Sequence, residues 1–263
     1  MSELVLVLIG LLVGVTTVLF GFGGGFVTVP VITVADAALG DDAVRVATAT
    51  SALVMLVNAV VATLATRREV LARLRGRWAL FLLLATGGAL GAAAARLPPG
   101  DVIRWGFVLY VAATVVDLVA RPGFLRPASV ASRAARTHAM PTWLGVPIGG
   151  IASFLGVGGS VMTVPLMRRA GASMPVAAAL ANPLTLVTVA PALLVSLLLH
   201  GNAPDAPGLV GTVDVLPALA LLAGSLPVIV GLRRRPPRIP DALHAWAYVT
   251  LLAAAGATVA VTG

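Results

Sequence analysis

The chain has 263 residues, 59% of them hydrophobic and 11% charged, with a mean hydropathy of +1.02 and a net charge of +8. That leaves too little polar surface to clothe a soluble globule, so the composition specifies a polytopic membrane protein. Cysteine is absent, which excludes disulfides, thiolate metal sites and cysteine-attached haem, and the basic residues, all arginine, lie in short loops instead of on one face, which argues against a nucleic-acid surface.

Eight apolar elements follow one another, at about 4–38, 43–66, 78–95, 102–120, 141–167, 175–200, 215–232 and 242–262. The first begins at Leu4 behind Ser2-Glu3, without a basic leader or a cleavage pattern, and is expected to be retained. It is interrupted at Gly21-Phe22-Gly23-Gly24-Gly25-Phe26-Val27-Thr28-Val29-Pro30. The fifth is interrupted 135 residues later at Gly156-Val157-Gly158-Gly159-Ser160-Val161-Met162-Thr163-Val164-Pro165. The two stretches align without a gap, and Ala47-Thr48-Ala49-Thr50-Ser51 is matched in order by Ala179-Leu180-Ala181-Asn182-Pro183. The chain is an internal duplication.

Interior glycine costs a helix about 1 kcal/mol relative to alanine, so the clusters should break it. In hydrocarbon a broken backbone survives only where it is buried in protein or lines a cavity. The six uninterrupted elements suit plain spans of about 20 residues. In the second copy, the run from Ser160 to Arg168-Arg169 covers roughly 10 Å of helix and cannot cross. Both broken elements are therefore expected to be hairpins that enter and leave on one side.

Fifteen arginines, from Arg67–Arg77, Arg121–Arg136, Arg168-Arg169 and Arg233–Arg238, segregate to one side of this topology. Glu3, Asp36, Asp41, Asp42, Asp101, Asp205 and Asp214 fall on the other, with Arg45, Arg96 and Arg104. The basic side is expected to be cytoplasmic and both termini extracytoplasmic. A hairpin plus three spans crosses an odd number of times, so the second copy is inserted upside down. The fold expected is an all-α helical bundle of two inverted repeats, 1–120 and 141–263, joined by a basic cytoplasmic linker at 121–140.

The hairpin tips, entering from opposite sides, can meet at mid-membrane. Duplicated glycine-interrupted segments are a sequence pointer to a transporter site. Helix starts at Gly23, Gly24, Gly25 and Phe26, and at Gly158, Gly159 and Ser160, would aim free amides and positive dipole ends at a small anion. Thr50, Ser51 and Asn182 in the following helices, and Thr28 and Thr163 further along the returning arms, are candidate donors to its shell. The alternatives are close helix packing by the glycines, as at Gly87 and Gly91, and hydroxyls bonded back to their own helices. Asp117 is the candidate for proton coupling, and His244 the other ionisable group. Both lie near the ends of their spans, which favours an interfacial role. Arg45 and Arg104 reach the interface or steer anions. No Ser-His-Asp set, HExxH motif, metal cluster or cofactor fingerprint is present, so an enzyme is not expected.

On these residues, Gly-x-Gly-Gly-Gly-Phe-x-x-Val-Pro, Ala-Thr-Ala-Thr-Ser and the degenerate Gly-Val-Gly-Gly copy, the chain resembles the sulfite exporter TauE/SafE family of bacterial membrane permeases over nearly its whole length. The resemblance implies an inner-membrane carrier for sulfite or organosulfonates, without cofactor, in a lipid bilayer, and a homodimer is compatible with it. Ser160 and Asn182-Pro183 depart from the family's usual residues. The reading is a secondary transporter exporting a small sulfur-containing oxyanion by alternating access. The alternatives are a passive anion channel or a non-transporting protein with a degenerate site.

Overall fold

Long apolar runs in hydrocarbon can satisfy their amides only within themselves, which makes them helices. The computed structural model describes residues 3–35, 40, 43–125, 140–199 and 208–261. Its helices are α1 (Glu3–Phe20), α2 (Gly25–Ala35), α3 (Ala43–Leu64), the short α4 (Arg68–Leu71), α5 (Trp78–Ala94), α6 (Gly100–Ala120), α7 (Gly145–Phe154), α8 (Ser160–Arg169), α9 (Met174–Leu198), α10 (Val215–Arg234) and α11 (Asp241–Val261). Six of them (α1, α3, α6, α9, α10 and α11) are long and apolar enough to cross a membrane, and α4 with its following turn and α5 make a seventh bent by 81°. All eight expected elements are present, with the interruptions at the glycine clusters, but α1, expected as one arm of a hairpin, is by itself long enough to cross, and α5, expected as a plain span, reaches that length only with the bent segment before it. Most of the linker expected at 121–140 lies outside the described residues.

Two elements were not expected. One is α4, on the basic loop. The other is an antiparallel pair, β1 (Leu209–Val210) and β2 (Val213–Asp214), with Leu209 opposite Asp214. Asp214 then caps α10, its Oδ1 accepting from Leu216 N at 3.2 Å.

Lipid tails are as apolar as leucine, so helices in a membrane associate by close backbone packing instead of by hydrophobic exclusion. The glycines serve this. Gly10 and Gly14 of α1 lie against Leu221, Gly224 and Ser225 of α10, and Gly87 and Gly91 of α5 against Val146 and Gly150 of α7. Helix α2 packs on α3 and α8 on α9 within their own halves, whereas α1 packs on α10 and α7 on α5, so these two pairs exchange partners between the halves. At the periphery α6 and α11 run antiparallel, since Arg104 donates to Val259 O and Ala260 O (3.2 Å each) while Gly256 meets Val111. Arg104 thereby satisfies carbonyls at the end of α11.

The arginine-rich ends are tied by ions. Buried Arg168 pairs with Asp241 and donates to Phe124 O at 2.9 Å. The other oxygen of Asp241 accepts from Met174 N at 3.0 Å and so caps α9 from a neighbouring helix. A hydrophobic cluster of Phe20, Phe22, Phe26, Phe107, Phe124 and Tyr248 fills the space between α1, α2, α6 and α11.

A side chain at Gly91 would meet the Gly150 carbonyl, and one at Gly224 the Val7 carbonyl. Gly91→Leu and Gly224→Leu are expected to lower stability by about 1–3 kcal/mol or more each, because the obstacle is backbone. Thermal unfolding of the detergent-solubilised variants, followed by size-exclusion chromatography, measures this. Unchanged midpoints would contradict the packing described.

Candidate functional site

Each break is built by a helix that ends on a left-handed glycine. Gly21 (φ +74°) closes α1 with its N–H on Thr17 O at 3.1 Å. Gly156 (φ +69°) closes α7 in a Schellman arrangement, with Gly156 N on Ser153 O at 3.4 Å and Val157 N on Ala152 O at 2.9 Å. Two residues on, Gly23 and Gly158 repeat the conformation at +65° and +71°. The duplicated sequence thus repeats the backbone at these two positions, in a region that L side chains rarely adopt, and departs from it at the next, where Gly24 has φ +108° and Gly159 −74°.

The breaks meet. A Cβ on Gly25 would stand 2.9 Å from Gly156 O, and one on Gly158 3.8 Å from Phe22 O. Met55 of α3 and Thr185 of α9, each close to the middle of its helix, lie against both Gly23 and Gly158. From there α2 starts at Gly25 and α8 at Ser160, so the amides of Gly25, Phe26, Ser160 and Val161 have no acceptor within their own helices. No side chain caps α8.

Of the other candidates, Thr28 Oγ1 donates to Gly24 O (3.0 Å) and accepts from Ser51 Oγ (2.6 Å), tying α2 to α3. Thr50 is engaged elsewhere, accepting from Asp214 N at 2.8 Å. The Phe26 ring stacks on Phe22 in the aromatic cluster. Ser160, Thr163 and Asn182 are fully buried beside the second break. Asp117 sits at the basic end of α6, paired with Arg121 (3.1 Å) and Arg169 (2.7 Å). His244, expected at the interface, is instead buried, with Nε2 at 2.7 Å from Leu19 O and its ring against Phe20. The aromatic cluster gives it an apolar wall that hydropathy along the chain does not reveal.

Residues that the sequence reading passed over complete the picture. Asn58, buried on α3, donates to Gly23 O at 3.1 Å and accepts from Ser225 Oγ at 2.8 Å. An amide inside an apolar span was the available signal. A cavity of about 150 Å³ runs from Arg45 and Arg96 down to Met55, Ser153, Gly156 and Gly158. Its described lining holds two arginines and no carboxylate, which favours anions. At the basic end a second cavity, about 420 Å³, is flanked by Arg73 and Arg77 and stops at Leu80 and Leu184.

Spanning helices, two broken segments that touch at the bundle centre, and a cavity that ends on them define a multi-pass membrane protein of transporter type. The chain belongs to the sulfite exporter TauE/SafE family, whose family model matches residues 6–259. It is a family of membrane exporters of sulfite and sulfonates, and its members are transporters, not enzymes. Searches of curated proteins and of solved structures return no match.

Removing the Asn58 amide takes the side-chain donor from Gly23 O and leaves the buried Ser225 hydroxyl only Leu222 O, at 3.5 Å. Asn58→Leu is expected to cost about 1–3 kcal/mol. The double variant Asn58→Leu/Ser225→Ala should cost less than the sum of the single changes. Thermal unfolding across this cycle checks it, and strict additivity would show the hydroxyl and the amide to be independent.

Proposed function

We propose that the protein is a secondary transporter that exports a small sulfur-containing oxyanion, of sulfite or organosulfonate type, across the bacterial inner membrane by alternating access. The observation that carries this reading is the convergence of the two glycine breaks at the floor of the arginine-flanked cavity. The free amides at the starts of α2 and α8 supply positive ends without a charged side chain. Exchange of packing partners between halves, and the antiparallel course of α6 and α11, support an inverted repeat. The two cavities come from opposite ends, and Leu80, Leu84, Ile148 and Leu184 cluster between the basic-end cavity and the breaks, which favours a carrier over an open channel.

The arginine-rich end is the cytoplasmic one in this reading, so the cavity that reaches the breaks faces outward. Asp117, engaged by two arginines at that end, links α6 to α8 and is not required as a proton relay. A potential of 100 mV, negative inside, contributes about 2.3 kcal/mol per exported charge, so export needs no coupled ion.

Proteoliposomes test this directly. Saturable sulfite or sulfonate efflux is expected to follow an imposed membrane potential and to be lost in Gly159→Val, and Arg45→Gln/Arg96→Gln is expected to raise the apparent KM several-fold at low salt. Transport that ignores the potential, follows a pH gradient at constant substrate charge and disappears in Asp117→Asn would instead establish proton coupling.

Orientation is tested separately, by placing single cysteines at Ser2 and Gly263 in whole cells. Both are expected to react with a membrane-impermeant maleimide. Protection of both would reverse the assignment of the two cavities.

A further inference from the structure

Beside the second break, polar groups lack partners. Ser160 Oγ, Thr163 Oγ1, Thr185 Oγ1 and Asn182 Oδ1 are fully buried and form no hydrogen bond among the described residues. Beside the first break the polar groups are satisfied, Thr28 by Gly24 O and Ser51, and Asn58 by Gly23 O and Ser225. The difference is legible in the duplication: Pro183 stands where the first copy has Ser51, so Thr163 lacks the hydroxyl that engages Thr28. Buried polar groups are nearly always paired, and four orphans on two adjacent helices mark a place whose partner comes from outside the chain.

These groups fall at the boundary of the two cavities. Along α9, Leu180 and Leu184 line the basic-end cavity and Val189 and Ala192 line the other, with Thr185 between the two pairs and Asn182 between Leu180 and Leu184, at the inner end of the basic-side lining. Along the hairpin, Gly158 lines one cavity and Met167 the other, with Ser160 and Thr163 between them. The side-chain hydroxyl of Ser153, also unpartnered, stands in the cavity wall on the approach.

We propose that this septum is an occluded oxyanion site whose side-chain polar shell is supplied by the second half alone, and that it takes a hydrogen-bearing anion in preference to a fully deprotonated one. The inference rests on the transport reading of the same site. Asn182 Nδ2 is held on Ala178 O at 3.1 Å, which fixes the amide so that its oxygen, an acceptor only, is the end left over. A fully deprotonated oxyanion sets lone pairs against that oxygen. An anion that keeps one proton donates it to Asn182 and accepts from the three hydroxyls and from the first amides of α8.

The test is calorimetric titration of the purified full chain in lipid nanodiscs with sulfite, through the pH range in which sulfite takes up its proton, and with thiosulfate and taurine. Sulfite affinity is expected to fall as the proton is lost, and Asn182→Leu to flatten that dependence. Ser160→Ala, Thr163→Val and Thr185→Val should each weaken binding tenfold or more. Without ligand, Thr163→Val and Thr185→Val should melt no lower than the parent, since each removes an unpaired group. Thr28→Val and Ser51→Ala should melt lower and keep the affinity within threefold, because their hydroxyls hold only each other and the hairpin. Equal losses of affinity from first-half and second-half changes, or tighter binding of the deprotonated form, would overturn the inference while leaving the transport reading intact. A parent protein that binds none of the three compounds would remove both.

Discussion

A helix interrupted inside a dry bundle frees amides and carbonyls that must find partners, since each one left bare costs several kcal/mol. The rest of the structure is arranged around meeting that demand twice. At the first break Asn58 reaches across from α3 to the Gly23 carbonyl, and Ser225 of α10 holds Asn58 in turn. At the second break the helix closes on itself through Gly156 and Val157, and Tyr248 of α11 reaches the carbonyls of Ser160 and Val161 at 3.4 and 3.3 Å. The long helices that touch the breaks thus act as their partners as well as their walls. What remains unsatisfied is the set of amides at the starts of α2 and α8, which is where the transport reading seats the anion.

Duplication produced two similar backbones but unequal chemistry. Phe22 and Phe26 of the first copy correspond to Val157 and Val161 of the second, and the two rings anchor the first hairpin in the aromatic cluster. The first hairpin is further tied to α3 through Thr28 and Ser51. The second hairpin is tied at its far end by the buried Arg168 and its carboxylate partner Asp241, an arrangement in which losing one member strands a charge. Near its break it carries orphaned hydroxyls instead. One copy is held by its polar groups and the other keeps them uncommitted.

The sequence carried the helices, the breaks and the family, because long apolar runs and a glycine motif repeated at a fixed offset are unambiguous physical signals. The rotation of side chains about each helix was less legible. Thr50 and Ser51 are neighbours, and a step of about 100° sends them to different partners: Ser51 faces Thr28, and Thr50 faces Asp214 on the β1–β2 turn. That turn pairs only two residues from each strand, too few to leave an alternation in the sequence. The position of His244 in the chain points to the interface, yet the Phe20 ring and the Leu19 carbonyl that enclose it come from α1, distant in sequence. Arg96 and Ser153 gained their place in the cavity wall only when α5 and α7 were packed together.

The two central helices are restrained very differently. Helix α3 is fastened through Thr50 to β2, through Ser51 to α2 and through Asn58 to both α10 and the first break. Among the described residues the buried side chains of α9 form no comparable ties: Asn182 and Thr188 bond back to their own helix, Thr185 is unpaired, and the tie from another helix is at its start, where Asp241 accepts from Met174 N. Helix α9 also contains Pro183 and Pro191, each removing an internal hydrogen bond at a cost of about 3 kcal/mol relative to alanine. Pro183 falls between Asn182 in the septum and Leu184 at the end of the basic-side cavity, so a change in bend there alters the relation between the polar groups and the apolar seal. A rearrangement that opens the septum to the basic end therefore breaks fewer side-chain hydrogen bonds if α9 moves than if α3 does.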